Sequence, residues 1–135
     1  MQLDFSSFVK AVARLDEGLE RYNRDTSDLQ IRDGLIQRFE FTYDLAHKML
    51  RRQLESVSAN PDQVDRMSFA DLIRSVTEQG LIKSDWSVWR TWREMRSTTS
   101  HTYDEEKALQ VVEGIPGFLA EAEDLAERSR QVRFA

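Results

Sequence analysis

Apolar positions in the first part of the chain recur at alternating steps of three and four residues, which predicts one face of an α-helix. The positions that share this spacing are Phe5, Phe8, Val12, Leu15, Leu19 and Tyr22. Asp4 is suited to cap the start of this helix, and the polar run over 23–28 ends it. Ser27 and Gln30 then offer a capping box for a second helix. Because the turn is short, we expect the two helices to be antiparallel neighbours.

The second helical segment extends over about 28–56 without a proline, enough for a helix of roughly 42 Å. One face of it carries a predicted core stripe of Leu35, Ile36, Phe39, Tyr43, Ala46, Leu50 and Leu54. Phe41 and Leu45 fall on a different side, with Ile31 and Met49 between. A helix that is apolar on two sides exceeds what one bundle core requires. We therefore expect a partner on the second side, most simply another copy of the chain.

Three further helices are predicted in the second half. After a loop that reaches Ser68, the pair Ser68 and Asp71 resembles the capping box of a short helix that ends at Gly80. A fourth helix over 85–96 carries a predicted core stripe of Val88, Trp92 and Met95. The fifth starts within 102–105, and we expect the glycines and proline of 114–117 to kink or split it. The pattern predicts an all-α, up-and-down bundle of four to five helices in a single domain, 1–135.

The composition agrees with a soluble helical domain. Only 5 Gly and 2 Pro occur in 135 residues, and 40% of the residues are apolar. The absence of Cys excludes disulfides and thiol catalysis and suits a reducing cytoplasm, where we expect the protein to reside. No apolar stretch approaches the ~20 residues of a membrane span, and the start lacks a signal-peptide pattern, so no membrane partner is expected. The net charge of -5 argues against indiscriminate nucleic-acid coating but allows local basic patches.

The segment MRSTTSHTYDEE contains the most unusual combination of reactive side chains in the chain. A His of near-neutral pKa beside an Arg, here His101 and Arg96, is a general acid/base next to a fixed positive charge, which suits metal-free cleavage of a phosphodiester. The alternative is a helix C-terminus with a surface Arg pair and a His that caps carbonyls. Regular helix would separate the two residues by about 140°. Either the helix loses its regular geometry in the Ser/Thr run, or the site combines residues from two copies of the chain.

Two polar surfaces accompany this segment. On the fourth helix, Arg90, Arg93 and Arg96 alternate with tryptophans, which suits phosphate binding and base stacking; alternatively the indoles pack inside and the arginines pair with acidic residues. On the second helix, Glu40 and His47 lie on a polar strip, but their spacing is not that of a metal motif. The chain has no Gly-rich phosphate loop and no HExxH or GxSxG motif. We expect neither a metal nor a cofactor.

The segment RSTTSHTY, Arg96 to Tyr103, resembles the R-x4-H-x-Y motif of HEPN-domain proteins, the small helical partners of minimal nucleotidyltransferases. The earlier block IRDGLIQRFEFTYDLAHKML, Ile31 to Leu50, is similar to the other hallmark of the branch called nucleotidyltransferase substrate-binding proteins. The resemblance covers nearly the whole chain. It implies a helical bundle that dimerises and places the Arg and His of both protomers in one cleft.

The resemblance also implies a function. Active HEPN members are metal-independent ribonucleases that act as toxins and are neutralised by a partner minimal nucleotidyltransferase (MNT). By this resemblance His101 would be the acid/base, Arg96 would stabilise the phosphorane, and Tyr103 would be the hydroxyl to which the partner adds AMP. Ser97, Glu40 and Arg93 would support the cleft. The substrate would be single-stranded or loop RNA.

Two positions depart from the family pattern, and two other functions stay open. Ser97 stands where family members commonly have Asn, and His47 stands where they commonly have Trp. The same Arg and His would also suit a non-catalytic subunit that presents a nucleotide or polar substrate to a separate nucleotidyltransferase. A purely structural dimer is the third hypothesis.

Overall fold

The computed structural model describes the backbone of residues 4–134 and the side chains of residues 4–129. The helices are α1 (Ser6–Arg24), α2 (Leu29–Val57), α3 (Pro61–Asp65), α4 (Phe69–Glu78), α5 (Trp86–Thr98), a 3₁₀ turn (Thr99–His101) and α6 (Glu105–Phe134). α2 is central, since α1, α3, α4, α5 and α6 all pack against it. The predicted all-α bundle is confirmed.

Short polar side chains fix where the helices begin. Asp4 accepts a hydrogen bond from the Ser6 amide at 2.9 Å, and Ser68 accepts one from the Asp71 amide at 3.1 Å, as predicted. The start of α2 differs from the prediction, because its cap is Asp28. Ser27 points back to Asp25, to which both its amide and its hydroxyl donate.

Two elements differ from the prediction for opposite reasons. The loop expected after Asn60 contains the one-turn helix α3. Pro61 stands in the first turn of α3, where the proline's missing N–H loses no helical hydrogen bond. α6 is not split at Pro116. Pro116 lies on the exposed side of α6, whereas Ile115 and Phe118 are fully buried, so tertiary packing holds the helix together despite the lost hydrogen bond.

An aromatic cluster forms the centre of the core. Phe118 of α6 meets Phe39, Trp92 and Trp89 at ring-centroid distances of 5.1, 5.5 and 6.1 Å, and Tyr43 packs beside them. Burial of side chains of this size contributes roughly 1.5–3 kcal/mol each. The cluster clamps α2, α5 and α6 together. It therefore forms the rigid base beneath the surface where α2 and α5 meet.

The predicted core stripe of α2 is confirmed in full, and that of α5 in part. All seven predicted residues of α2 are buried. On α5, Trp92 and Met95 are buried as predicted, but Val88 is 38% exposed and Trp89 is fully buried in its place. The core face of α5 is thus rotated toward Trp89. The reason is the contact of the Trp89 indole with α6, which the pattern of one helix does not reveal.

The second apolar side of α2 is only partly covered within the chain. Met49 is buried in the core, Ile31 and Leu45 are half-buried against it, and Phe41 is 58% exposed. Phe41 and Leu45 border a groove of about 820 Å³ between α1 and α2. This surface remains open in the single chain. A dimer that covers it stays a prediction.

Over the part of the chain that the structure describes, none of the helices combines the length and apolar character needed to cross a bilayer.

Candidate functional site

Arg96 lies in the last turn of α5 and is held by two neighbours. Its Nε and Nη2 donate to the two carboxylate oxygens of Asp44 on α2, at 3.0 and 3.1 Å. Its Nη1 donates to Thr99 Oγ1 at 3.1 Å. The hydrogen bonds that Arg96 donates to Asp44 raise the pKa of Arg96, against an opposing effect of burial. The guanidinium is therefore a permanent charge with a fixed orientation.

The contacts of Arg96 leave part of the guanidinium free to bind a ligand. A guanidinium carries five N–H donors. Three of them are engaged by Asp44 and Thr99, which leaves two. The Arg96 side chain is 32% exposed. An anion with two oxygens, such as a phosphodiester, can therefore be bound without breaking the existing contacts.

The Ser/Thr run after Arg96 tightens the helix. α5 ends at Thr98 and continues as the 3₁₀ turn Thr99–His101. The hydroxyls of Thr98 and Thr99 donate to the carbonyls of Glu94 and Arg96, at 2.9 and 2.7 Å. Hydroxyl side chains thus satisfy the carbonyls that end the helix. Arg96 and His101 are therefore not separated by the angle that a regular α-helix would give. This agrees with the change of helix geometry expected in the Ser/Thr run.

His101 and Tyr103 lie on the surface where the 3₁₀ turn leads into α6. His101 is exposed and Tyr103 is 86% exposed, and their rings meet edge to face with centroids 6.1 Å apart. Among the described residues, no hydrogen bond or ion pair joins His101 to Arg96. One chain therefore places the two motif residues at the same end of the bundle without a hydrogen bond or ion pair between them.

An ion pair between a buried arginine and an exposed glutamate anchors the segment that follows Tyr103. Arg32 of α2 is only 4% exposed, and its Nη1 donates to Glu105 Oε2 at 2.7 Å. Asp104 accepts hydrogen bonds from the amides of Glu106 and Lys107, at 3.0 and 3.3 Å. The start of α6 is thus fixed to α2 directly beside the motif.

Next to Arg96, a second basic region covers the junction of α2, α4 and α5. The Arg93 guanidinium lies 5.6 Å from the centre of the Phe69 ring, and the His47 ring lies 4.4 Å from the same centre. Arg51 Nη2 approaches His47 Nε2 at 3.5 Å, while its Nη1 donates to the Val64 carbonyl at 2.7 Å. Burial lowers the pKa of His47, and the charge of Arg51 lowers it further.

Tyr43 lies beneath both basic groups. Its ring is buried among Phe39, Phe69 and Trp89, and burial raises its pKa to about 12. The neighbouring charges of Arg93 and Arg96 oppose that rise. Tyr43 therefore remains a neutral phenol at physiological pH and serves as part of the floor of the site.

The other expected site residues are placed as follows. Glu40 is half-buried on α2, one turn before Asp44, and near enough to raise the pKa of Arg96. Ser97 is exposed, and its carbonyl accepts a hydrogen bond from Ser100 at 3.3 Å. Trp89 is buried and cannot stack on a base, so the alternative in which that indole packs inside is correct.

Sequence reasoning did not assign site roles to three residues that the structure brings into the site, Asp44, Thr99 and Arg51. Asp44 was visible only as one member of a polar strip. Its partner Arg96 is 52 positions away on another helix, so no local pattern could have paired them. Within the described ranges, no group of three His, Asp or Glu side chains is arranged as a metal ion requires.

Comparisons with known proteins agree on one family. A family profile described as "Nucleotidyltransferase substrate binding protein like" matches residues 3–131. The chain is 46% identical over 98 residues to a protein of Haemophilus influenzae named "Probable ribonuclease HepT". That match takes in 73% of this chain and 66% of the relative, so the chain spans about two thirds of the relative's length.

A solved structure supports the same grouping. HI0074 from Haemophilus influenzae, described as revealing the fold of a substrate binding domain of a nucleotidyltransferase, is 35% identical with a TM-score of 0.88. The superposition covers 94% of this chain and 99% of that one. The match spans the elements that carry Arg96, Asp44 and His101. The chain therefore belongs to the nucleotidyltransferase substrate binding proteins, the branch of the HEPN-domain proteins that its two sequence blocks resemble.

Proposed function

We propose that this protein is a metal-independent endoribonuclease of the HEPN type. The observation that carries the proposal is the Arg96 guanidinium, fixed by Asp44 and Thr99 with two donors still free, at the same end of the bundle as the exposed His101. Pre-oriented donors of this kind stabilise charge that develops in a transition state. The ribonuclease name of the relative from Haemophilus influenzae supports the same activity.

The proposed reaction is an attack of an RNA 2'-hydroxyl on the adjacent phosphorus. The bond from O2' to phosphorus forms and the bond from phosphorus to O5' breaks, giving a 2',3'-cyclic phosphate and a 5'-hydroxyl. A neutral His101 removes the proton of the 2'-hydroxyl, and a protonated His101 supplies one to O5'. Arg96 donates its free N–H groups to the non-bridging oxygens. Glu40 and Ser97 flank this position as supporting groups, and Arg93 lies one turn before Arg96 on α5.

The reaction needs a base and an acid together, and two copies of the chain supply both. One chain holds no hydrogen bond or ion pair between Arg96 and His101 among its described residues, so a two-fold dimer that faces the two motifs would complete the site. The open apolar side of α2, with Phe41 58% exposed, supports a homodimer. In this arrangement one His101 acts as base while the partner's acts as acid.

We further propose that a minimal nucleotidyltransferase neutralises this activity as the antitoxin of a cytoplasmic pair. Tyr103 is 86% exposed and lies beside His101, so its hydroxyl is accessible to an enzyme. The phenol oxygen would attack the α-phosphorus of ATP and release pyrophosphate. The added AMP would repel the RNA backbone from the site. Mass spectrometry after co-expression should show an AMP-sized increase that disappears in Tyr103→Phe; an unmodified Tyr103 beside an active partner contradicts this.

A second function is favoured by the family description itself. A non-catalytic subunit would present a nucleotide or polar substrate to a separate nucleotidyltransferase, with Arg96 as its phosphate-binding group. The two functions differ in whether His101 moves a proton. Binding without cleavage would need Arg96 but not His101.

Incubation of the purified protein with tRNA and mRNA in EDTA tests the proposal. We expect cleavage to 2',3'-cyclic ends, abolished by His101→Ala and by Arg96→Gln. Arg90→Gln is the matched control, since Arg90 is on the same helix but pairs with Glu94 at 3.5 Å. RNA that stays intact at high protein concentration, yet binds in an Arg96-dependent way, would overturn catalysis and favour the binding subunit.

A further inference from the structure

The basic region beside Arg96 is a separate group of side chains that the cleavage step does not use. His47 and Arg51 follow Asp44 along α2, and Arg93 precedes Arg96 by one turn on α5. Asp44 and Arg51 are seven residues apart, or about 10.5 Å along a helix axis. The two helices thus extend the cationic surface from Arg96 with the guanidiniums of Arg93 and Arg51. We refer to His47, Arg51 and Arg93 as the basic subsite.

The arginines of the basic subsite have no carboxylate partner in the described part of the chain. Arg90, on the same helix as Arg93, pairs with Glu94 at 3.5 Å, and Arg96 pairs with Asp44 at 3.0 Å. Among the described residues, neither Arg93 nor Arg51 forms an ion pair with a carboxylate. Two unneutralised guanidiniums on one face create a local positive potential within an acidic protein.

The basic subsite is also held in place. The Arg93 guanidinium carbon lies over the Phe69 ring, 5.6 Å from its centre, and among the described residues no hydrogen bond engages the N–H groups of Arg93. Arg51 is tethered through the Val64 carbonyl at 2.7 Å. His47 packs against Phe69, which is only 7% exposed. The rigid aromatic floor orients these groups before any ligand binds, which reduces the entropy cost of binding.

We infer that the basic subsite binds the backbone phosphate of the nucleotide next to the bond that is cleaved at Arg96. This inference rests on the proposed function, because Arg96 defines the position of the scissile phosphate. Phosphate is the occupant that the chemistry favours, since the subsite offers unpaired guanidinium N–H groups. Trp89 is buried and Phe69 is covered by Arg93, His47 and Trp86, so neither of these two rings is free to stack a base. The subsite therefore binds RNA without reading its sequence.

The first test measures binding of a short fluorescent single-stranded RNA of mixed sequence to the His101→Ala protein over a series of KCl concentrations. Arg93→Gln in that background should weaken binding about tenfold and reduce the magnitude of the salt slope by about 0.7, the value for one phosphate contact on a single strand. Arg93→Lys should restore the slope but only part of the affinity, because it keeps the charge and loses the fork. Arg90→Gln should change neither. Equal losses of RNA affinity in the Arg93 and Arg90 variants, or no loss in either, would overturn the inference that the basic subsite binds a phosphate.

The second test asks whether the subsite contacts the flanking phosphate. With the active protein, Arg93→Gln should lower cleavage of a dinucleotide that carries an extra terminal phosphate, and leave cleavage of the same dinucleotide without that phosphate unchanged. Equal loss on both substrates would place Arg93 at the scissile phosphate and overturn the inference. A wild-type protein that binds RNA but cleaves none would contradict only the proposed catalysis, since the salt slopes still decide the subsite. A wild-type protein that binds an acidic peptide and no RNA would overturn both.

Discussion

At the scale of single residues, the site depends on the contrast between a paired and an unpaired arginine. Arg96 is oriented by the carboxylate of Asp44, whereas Arg93 is oriented by an aromatic face and has no carboxylate partner among the described residues. A carboxylate orients a guanidinium but neutralises its positive charge. An aromatic ring orients the guanidinium and leaves that charge intact. The first arrangement suits a group that must meet a transition state in one geometry. The second suits a group that attracts a flexible backbone.

Asp44 acts as a positioning residue for Arg96. Asp44→Asn keeps the shape of the side chain but loses one acceptor and the charge, so the guanidinium should turn away from its productive direction. We expect kcat for RNA cleavage to fall roughly ten- to a hundredfold with little change in KM, because misplacement of about 1 Å has effects of this size. Asp44→Glu should restore part of the rate. A faster Asp44→Asn protein would show instead that Asp44 competes with the phosphate.

His47 makes stability depend on pH in a predictable direction. Burial and then the charge of Arg51 hold its pKa below the usual value of 6.5; Asp44 opposes them, and Arg93 lowers the pKa by a smaller amount. Below about pH 6.5 the unfolded chain takes up a proton that the folded chain refuses, so stability falls as pH falls. Urea unfolding at pH 7 and pH 5 should show a smaller loss in His47→Gln than in the wild type. An equal loss of unfolding free energy in the wild type and in His47→Gln would refute this role of His47.

At the scale of elements, α6 positions α5 through one buried carboxylate. Glu121 is 5% exposed and accepts hydrogen bonds from the amides of Lys83 and Ser84, both at 3.1 Å, and from the Ser84 hydroxyl. These groups lie in the connection that leads into α5, and α5 carries Arg93 and Arg96. Because α6 holds this loop, it also fixes where α5 starts.

Removal of that carboxylate should destabilise the whole bundle. Glu121→Ala leaves two partly buried amides and a hydroxyl without their partner, and we expect the free energy of unfolding to fall by about 2 kcal/mol. Glu123→Ala on the exposed side of α6 is the control and should stay within about 0.5 kcal/mol of the wild type. Chemical denaturation measures both variants. If Glu121→Ala unfolds at the same denaturant concentration as the wild type, water replaces the carboxylate as the hydrogen-bond partner.

At the scale of the whole molecule, one chain buries its own core but leaves the second side of α2 open. The groove beside Phe41 and Leu45 lies on the same helix as Asp44, so a partner that covers it would also lie close to the site. An apolar surface next to the motif is what a composite active site requires. The oligomeric state and the activity are therefore linked in this proposal.

Charge at the open side should separate the two copies. Phe41→Glu spares the fold because Phe41 is already 58% exposed, and Leu45→Glu adds a charge deeper in the same groove. Both should shift the protein from dimer to monomer in light scattering and lower RNA cleavage together. Leu109→Glu, at an exposed position on α6, should change neither. A monomeric, well-folded wild type would contradict the dimer.

The sequence by itself determined the five longer helices, most caps and the family. The spacing of apolar residues located the core face of α2, and Ser68 and Asp85 marked helix starts, because these signals depend only on neighbours within two turns. The two motif blocks carried the family resemblance for the same reason. Each is a local string of residues, and a local string can be recognised without knowledge of what packs against it.

Tertiary structure decided which groups form the site. The pairing of Arg96 with Asp44, the stacking of Arg93 on Phe69 and the rotation that buries Trp89 instead of Val88 all join residues on different helices. Continuity of α6 through Pro116 was likewise decided by packing, since buried Ile115 and Phe118 outweigh one lost hydrogen bond. The physical reason is common to all four. Contact free energy depends on distance in space, and a sequence pattern specifies distance only along one element.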